Sequence, residues 1–150
     1  MKTYTKEVGS KLNTLLEKNY DAQKGYKTAS ENAQSIILTN FFERKSKERE
    51  QFADQLKSEI TKLAQEPETT GSIAGIAHRT WMNTKALFSS DTDEAMLAEA
   101  IRGEKASIED YNDVLNAEVV LPQSIQNVLS GQRNTIVNDT LTIKRLEDIK

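Results

Sequence analysis

The chain has 150 residues, 37% hydrophobic and 29% charged, with 20 Lys plus Arg against 23 Asp plus Glu and a formal net charge of −3. This length favours one domain, expected to span residues 1–150, and the nearly cancelling charges are not the signature of a disordered polyelectrolyte. With no Cys and one His, thiol catalysis, disulfides, thiolate metal sites and a two-histidine zinc motif are excluded, and 6 Gly and 2 Pro leave little turn chemistry for an all-β fold.

Residues 1–10 are polar and lack the apolar centre of a signal peptide. Apolar runs such as Ile36-Ile37-Leu38 fall far short of the ~18 residues that cross a bilayer. A cytoplasmic location without membrane contact is therefore expected. From Val8 the residues Leu12, Leu15, Asn19, Ala22, Tyr26 and Ala29 recur in a 4-3-4-3 rhythm, which is one stripe of a helix packed in a bundle. Gly25 inside that helix costs about 1 kcal/mol relative to Ala, so a close helix approach or a kink is expected there.

A short connection at 32–34 follows, with Ser35 placed to cap a second helix. Its stripe is Leu38, Phe41, Phe42, Lys45, Glu48 or Arg49, Phe52, Leu56, Ile60 and Leu63, and Pro67 is expected to end it. A shorter helix fits residues 73–88, with Ser72 as cap and Ile73, Ala77 and Trp81 on its apolar side. After a break at 89–92, a third long helix carries Leu97, Ala100, Ile101, Glu104, Ile108, Tyr111 and Leu115. Pro122 suits the first helical position of a last one, through Ile125, Leu129, Gln132, Ile136, Asp139 or Thr140, Ile143 and Leu146.

The long helices, at roughly 23 to 30 residues, reach ~35 to 45 Å. The short helix, at ~24 Å, carries the chain most of the way back along the bundle. The expected fold is all-α: a ferritin-like four-helix bundle with a short helix in the long crossover between the second and third long helices.

Several ordered motifs are shared with a known family. They are Leu12-Asn13-x-Leu15-Leu16 and Gly25-Tyr26, Phe52-Ala53-x-x-Leu56, Glu66-Pro67-Glu68-Thr69, Gly71-Ser72-x-x-Gly75, His78-Arg79-x-Trp81, and Arg102-Gly103-Glu104 with Tyr111. On these the chain resembles a bacterial family of ferritin-like four-helix-bundle domains of unknown function. The resemblance implies a ferritin-like fold, suggests a stress-related role and supplies no catalytic residues. Some relatives carry a His in the last helix, where this chain has Asn138-Asp139.

The most informative feature is a polar layer at the level where the helix midpoints coincide. It comprises Asn19 and Asp21, Glu48 and Arg49, Glu104, and Gln132 with Asp139, several of them on the apolar stripe. Di-iron sites of ferritin-like bundles use one Glu from each of two helices and Glu-x-x-His from each of the other two. Here Gln51 follows Glu48 at that spacing and Ser107 follows Glu104, and the single His is His78. A carboxylate site of Glu48, Glu104 and Asp139 for iron or manganese is the alternative. The favoured reading is a buried hydrogen-bonded network without cofactor. Arg49, Lys45 and Arg79 are its available cations, and Tyr26 and Tyr111 its donors, because a lone buried Glu104 costs several kcal/mol unless paired.

His78, with Arg79 and Trp81, reads as a docking device that seats the crossover helix, in preference to a general base or a ligand near Glu104. The run 43–50 pairs opposite charges at i, i+4 and reads as a solvated face. Its interleaved signs give no nucleic-acid surface. The apolar excess at 36–42 points either to burial under the crossover or to self-association. The function expected is a non-enzymatic, homo-oligomeric bundle protein, dimeric in its simplest form. A metal-binding protein is the rival, and an adaptor using the 36–42 face is a third possibility.

Overall fold

A computed structural model describes residues 2–67, 93–143 and 148–149. It contains four long helices: α1 (Lys2–Asn32), α2 (Ile36–Lys62), α3 (Asp93–Leu115) and α4 (Gln123–Thr142). No strand occurs among the described residues. The expected helix at 73–88, with Ser72, His78, Arg79 and Trp81, lies outside them. No described helix is long and apolar enough to cross a membrane.

Side-chain pairing fixes the direction of each helix. Along α1 and α3, Lys18 meets Asp110 at 2.8 Å, Asn19 meets Tyr111 at 3.0 Å, and Tyr26 meets Glu104. From Asn19 with Tyr111 to Tyr26 with Glu104 one number rises as the other falls, so these helices are antiparallel. Lys45 with Asp139, Gln55 with Gln132 and Glu59 with Ser124 show the same for α2 and α4. At one end of the bundle the Asp93 carboxylate accepts from the backbone N–H groups of Gln34 (2.9 Å) and Ser35 (2.6 Å). The start of α3 is thereby tied to the α1–α2 turn. At the other end the Tyr4 hydroxyl donates to the Val120 carbonyl. The end of α2 and the start of α3 therefore lie at opposite ends of the bundle, and the helices run up, down, down, up as the lengths and loops predict.

The local start and stop signals explain the helix limits. Ser35 is the N-cap of α2, its hydroxyl accepting from Leu38 N–H at 3.4 Å. Pro122 is the N-cap residue of α4, one position before the first helical turn where the sequence suggests it. The end of α2 differs more. It stops at Lys62, short of Pro67, in a Schellman arrangement: Gln65 N–H bonds to Ile60 C=O (3.2 Å) and Ala64 N–H to Thr61 C=O (2.9 Å). Ala64 takes the left-handed conformation that this requires, with φ 59°. The segment beyond crosses α1 at Gly9, where a Cβ would lie 2.7 Å from Gln65 Cγ, and Asn13 Nδ2 holds Glu66 C=O at 2.9 Å. Gly9 is thus the place where the chain passes against α1. Gly25 is buried.

The interior is not one continuous apolar column. One cluster contains Val8, Leu12, Leu15 and Leu16 with Phe52, Leu56, Ile60, Val114, Ile125, Leu129 and Ile136. The other contains Ala22, Tyr26 and Ala29 with Leu38, Phe41, Phe42, Met96, Leu97 and Ile149. Buried polar residues lie between the two. Phe41 and Phe42 belong to the second core, so the apolar excess at 36–42 is mostly burial, and only Ile36 and Ile37 of that set are exposed.

Ala64 is exposed, and an L-residue in the left-handed region is strained where glycine is not. Ala64→Gly is expected to stabilise the protein by about 0.5–1 kcal/mol. A urea unfolding midpoint at or below that of the wild type would contradict this account of the α2 terminus.

Candidate functional site

The 4-3 spacing that makes α1 and α2 amphipathic also carries polar side chains into the interior, because Asn19, Lys45 and Arg49 stand on the buried stripes. Lys45 is 5% exposed, Arg49 1%, Glu104 4% and Asn19 1%. Four helices contribute to the layer: Asn19 and Tyr26 from α1, Lys45, Glu48 and Arg49 from α2, Glu104, Ser107 and Tyr111 from α3, and Gln132 and Asp139 from α4.

Glu104 is its centre. One carboxylate oxygen accepts from the Tyr26 hydroxyl and lies 3.0 Å from Lys45 Nζ, and the other accepts from Arg49 Nη2. Arg49 Nη2 also donates to Ser107 Oγ at 3.1 Å, and Nη1 to Asn19 Oδ1 at 2.9 Å. The guanidinium lies over the Phe52 ring, 6.0 Å from its centroid. Asn19 Nδ2 donates to Tyr111 Oη at 3.0 Å, the Tyr111 hydroxyl donates to Gln132 Oε1 at 2.5 Å, and Gln132 Nε2 donates to Gln55 Oε1 (2.8 Å) and Phe52 C=O (3.2 Å). An unbroken chain of hydrogen bonds therefore runs from Glu104 through Arg49, Asn19 and Tyr111 to Gln132 and Gln55.

Lys45 anchors the other flank. Its ammonium donates to Glu48 Oε2 at 2.5 Å and to Asp139 Oδ2, in addition to facing Glu104. Glu48, Glu104 and Asp139, the three carboxylates that the sequence marks as alternative metal ligands, thus converge on one nitrogen. Asp21 is buried on α1. His78, Arg79 and Trp81 lie outside the described residues.

The electrostatics follow from burial and neighbours. Burial alone raises the Glu104 carboxyl, but the Arg49 guanidinium and Lys45 ammonium, with hydrogen bonds from Tyr26 and Lys45, outweigh it and bring its pKa down to about 2. Burial works against both cations, yet Glu104 overrides it and holds Lys45 and Arg49 above their ordinary values. Burial, reinforced by the charge of Glu104, raises the Tyr26 hydroxyl well above its usual range, and burial pushes Tyr111 up to about 12. Glu48 is raised by burial, which Lys45 only partly offsets.

The central groups are thereby locked in single protonation states at neutral pH. Lys45 and Arg49 are charged, Glu104 is ionised, and both tyrosines are protonated. A general acid or base needs a pKa near the working pH; these five groups are driven away from it, whereas Glu48 is raised towards it. A cavity of about 10 Å³ beside the layer, lined by Tyr26, Phe41, Lys45, Leu97, Glu104 and Ile143 among others, has room for about one water. The residues do not fit a metal ion either. The point where the carboxylates converge is filled by an ammonium, and among the described residues no group of three or more His, Cys, Asp or Glu is arranged to hold a metal.

Most of this layer is legible in the stripe positions, including Asn19, Arg49, Glu104 and Asp139. Lys45 is the revealing case. It lies in the run 43–50, which reads as a solvated face, while its stripe position marks it as an available cation of the network; Glu43, Arg44, Lys47 and Glu50 are exposed. Lys45 and Arg49 face inward instead, and Glu48 pairs with Lys45 rather than with Arg44, which lies over the Phe41 ring. The signal is register: positions 45, 49, 52 and 56 continue the stripe of Leu38 and Phe42. Ser107 and Gln55 carry no such signal, being small or neutral polar groups whose role depends on a neighbour in another helix.

Removing one partner of a buried ion pair strands the other. Arg49→Met is expected to cost about 3–5 kcal/mol, and Arg49→Met with Glu104→Met to recover most of that loss, as read from urea unfolding. A second expectation concerns acid. Glu104 has a folded pKa of about 2, below its ordinary 4.5. Its contribution is therefore complete above about 4.5 and is lost as pH falls towards about 2. Glu48 and Asp110, both raised, act with the opposite sign, contributing stability at low pH that is lost as pH rises through their folded values. The acid limb of stability should be flatter in Glu104→Gln than in the wild type, and equal slopes would refute the assignment.

Comparison with known proteins agrees with the helical-bundle fold. Three solved chains match significantly. One of them, the bacterioferritin-related protein from Bacteroides fragilis, described as a dodecameric thioferritin, superposes with a TM-score of 0.64 at 15% identity, over 92% of this chain and 86% of that one. At that identity the likeness shows a shared ferritin-like fold. A search of curated proteins finds no significant match. Residues 7–117 match the family described as Domain of unknown function (DUF2383), and the chain belongs to that family.

Proposed function

We propose that this is a non-enzymatic ferritin-like bundle protein that holds no metal centre and works as a homo-oligomer, a dimer being its smallest symmetric form. The observation that carries the reading is the position of Lys45 Nζ, within hydrogen-bond distance of Glu48, Glu104 and Asp139 together. A side-chain cation neutralises the carboxylates that a metal would otherwise bridge. The protonation states support the same reading, since Lys45 and Glu104 are driven away from neutrality. On this view the polar layer is architectural: it selects which helices pair and at which level.

Self-association is supported by two observations. The structurally similar Bacteroides fragilis protein is described as dodecameric. Here Ile36, Ile37, Val120 and Leu141 are exposed at 75, 53, 75 and 64%, and isologous contacts commonly cover such residues.

Protein purified without added metal is expected to contain iron and manganese far below one ion per chain by elemental analysis, and light scattering to give a mass that is a multiple of the 16.9 kDa chain. Stoichiometric metal that disappears in Glu104→Gln would establish the metal-binding alternative. A 16.9 kDa species at micromolar concentration would remove the oligomer.

A further inference from the structure

Three carboxylates on three helices meet at a single atom. Glu48 on α2, Glu104 on α3 and Asp139 on α4 all lie within an ion-pair distance of Lys45 Nζ, none farther than 3.0 Å. Oxygen donors are the type that Mg²⁺, Mn²⁺ and Ca²⁺ accept, yet with Lys45 at the point where they meet these carboxylates are not arranged to hold a metal. Here that point belongs to an ammonium on a flexible stem, and a second cation, Arg49, occupies the remaining oxygen of Glu104. An entering ion would meet two resident positive charges, and carboxylate lone pairs already directed at N–H groups.

We infer that Lys45 is a tethered counter-cation that bars divalent metal from the bundle, and that this one residue sets the ion specificity of the layer. The inference rests on the metal-free reading above and deepens it, because it names the group that enforces it. Two Lys and Arg charges face the three acids, leaving one negative charge in excess. That excess falls on the outer pair, where the Glu48 and Asp139 side chains are 23% and 31% exposed and water can reach them.

The geometry also indicates that Lys45 can be neutralised without losing the fold. In Lys45→Met, Glu104 keeps Arg49 and Tyr26, Glu48 and Asp139 regain solvent, and methionine refills the space of the lysine stem. The three carboxylate oxygens already lie around one point, so oxygen donors of the type a divalent ion takes are near each other once the ammonium is gone.

The test is a calorimetric titration of the full chain with Mn²⁺ alone. Lys45→Met is expected to bind one Mn²⁺ per chain at least about tenfold more tightly than the wild type, and to gain thermal stability from it. Adding Asp139→Asn is expected to abolish both effects. Lys45→Gln, which keeps an amide donor for the acids, serves with the same readout where Lys45→Met does not fold cooperatively. A folded neutral variant that responds to Mn²⁺ no more than the wild type would overturn the assignment to Lys45 and leave the metal-free reading standing. If instead the wild type binds Mn²⁺ stoichiometrically and Asp139→Asn alone removes it, both readings fail together.

Discussion

An ionised carboxylate 4% exposed in the middle of a helical bundle governs the rest of this structure. Taking such a group out of water is costly, and the cost is met only if opposite charge and hydrogen-bond donors surround it. Glu104 has all of these: Arg49 on one oxygen, and Lys45 and Tyr26 on the other. Each partner then imposes its own requirement. The guanidinium needs acceptors, which Asn19 and Ser107 provide, and the ammonium needs further acids, which Glu48 and Asp139 provide. The layer grows outwards from one charge until it reaches groups that water can solvate.

This layer divides the interior into two apolar clusters. Apolar packing supplies the driving force, but it is non-directional, and a helix can slide by one turn past its neighbour at modest cost. The hydrogen-bonded layer cannot slide. Displacing α3 by one turn would separate Glu104 from Arg49 and Tyr26 and leave buried charges without partners, at several kcal/mol each. The apolar clusters make the bundle stable, while the polar layer makes one register preferable to the others. Asp93 adds an independent lock at the end of the bundle, where it holds the α1–α2 turn by two backbone N–H groups.

The same arrangement gives a ferritin-like framework a polar layer in which acids are joined to cations. The bundle naturally projects acids from several helices to one level. Whether that level holds an ion depends on what else reaches it, and here two long cationic side chains of α2 do. Their placement four residues apart, at 45 and 49, puts both on one face of the helix, one turn apart, so that they grip Glu104 from two sides.

The sequence by itself determined the four long helices, their order and their direction, because hydrophobic spacing of 3.6 residues and the positions of Ser35 and the short turns are local properties. It also brought Asn19, Arg49, Glu104 and Asp139 to one level, since equal distances along helices of known rise translate into equal heights. Only the tertiary structure decided what those groups do to one another. Lys45 and Arg44 are neighbours in the chain with the same charge, yet one is buried among acids and the other lies over an aromatic ring at the surface. The end of α2 was likewise set by Ala64 adopting a left-handed conformation where the chain turns to cross α1, not by the proline beyond it. Both outcomes depend on side chains from other helices meeting in space, and a one-dimensional pattern records position along a helix but not the partner across it.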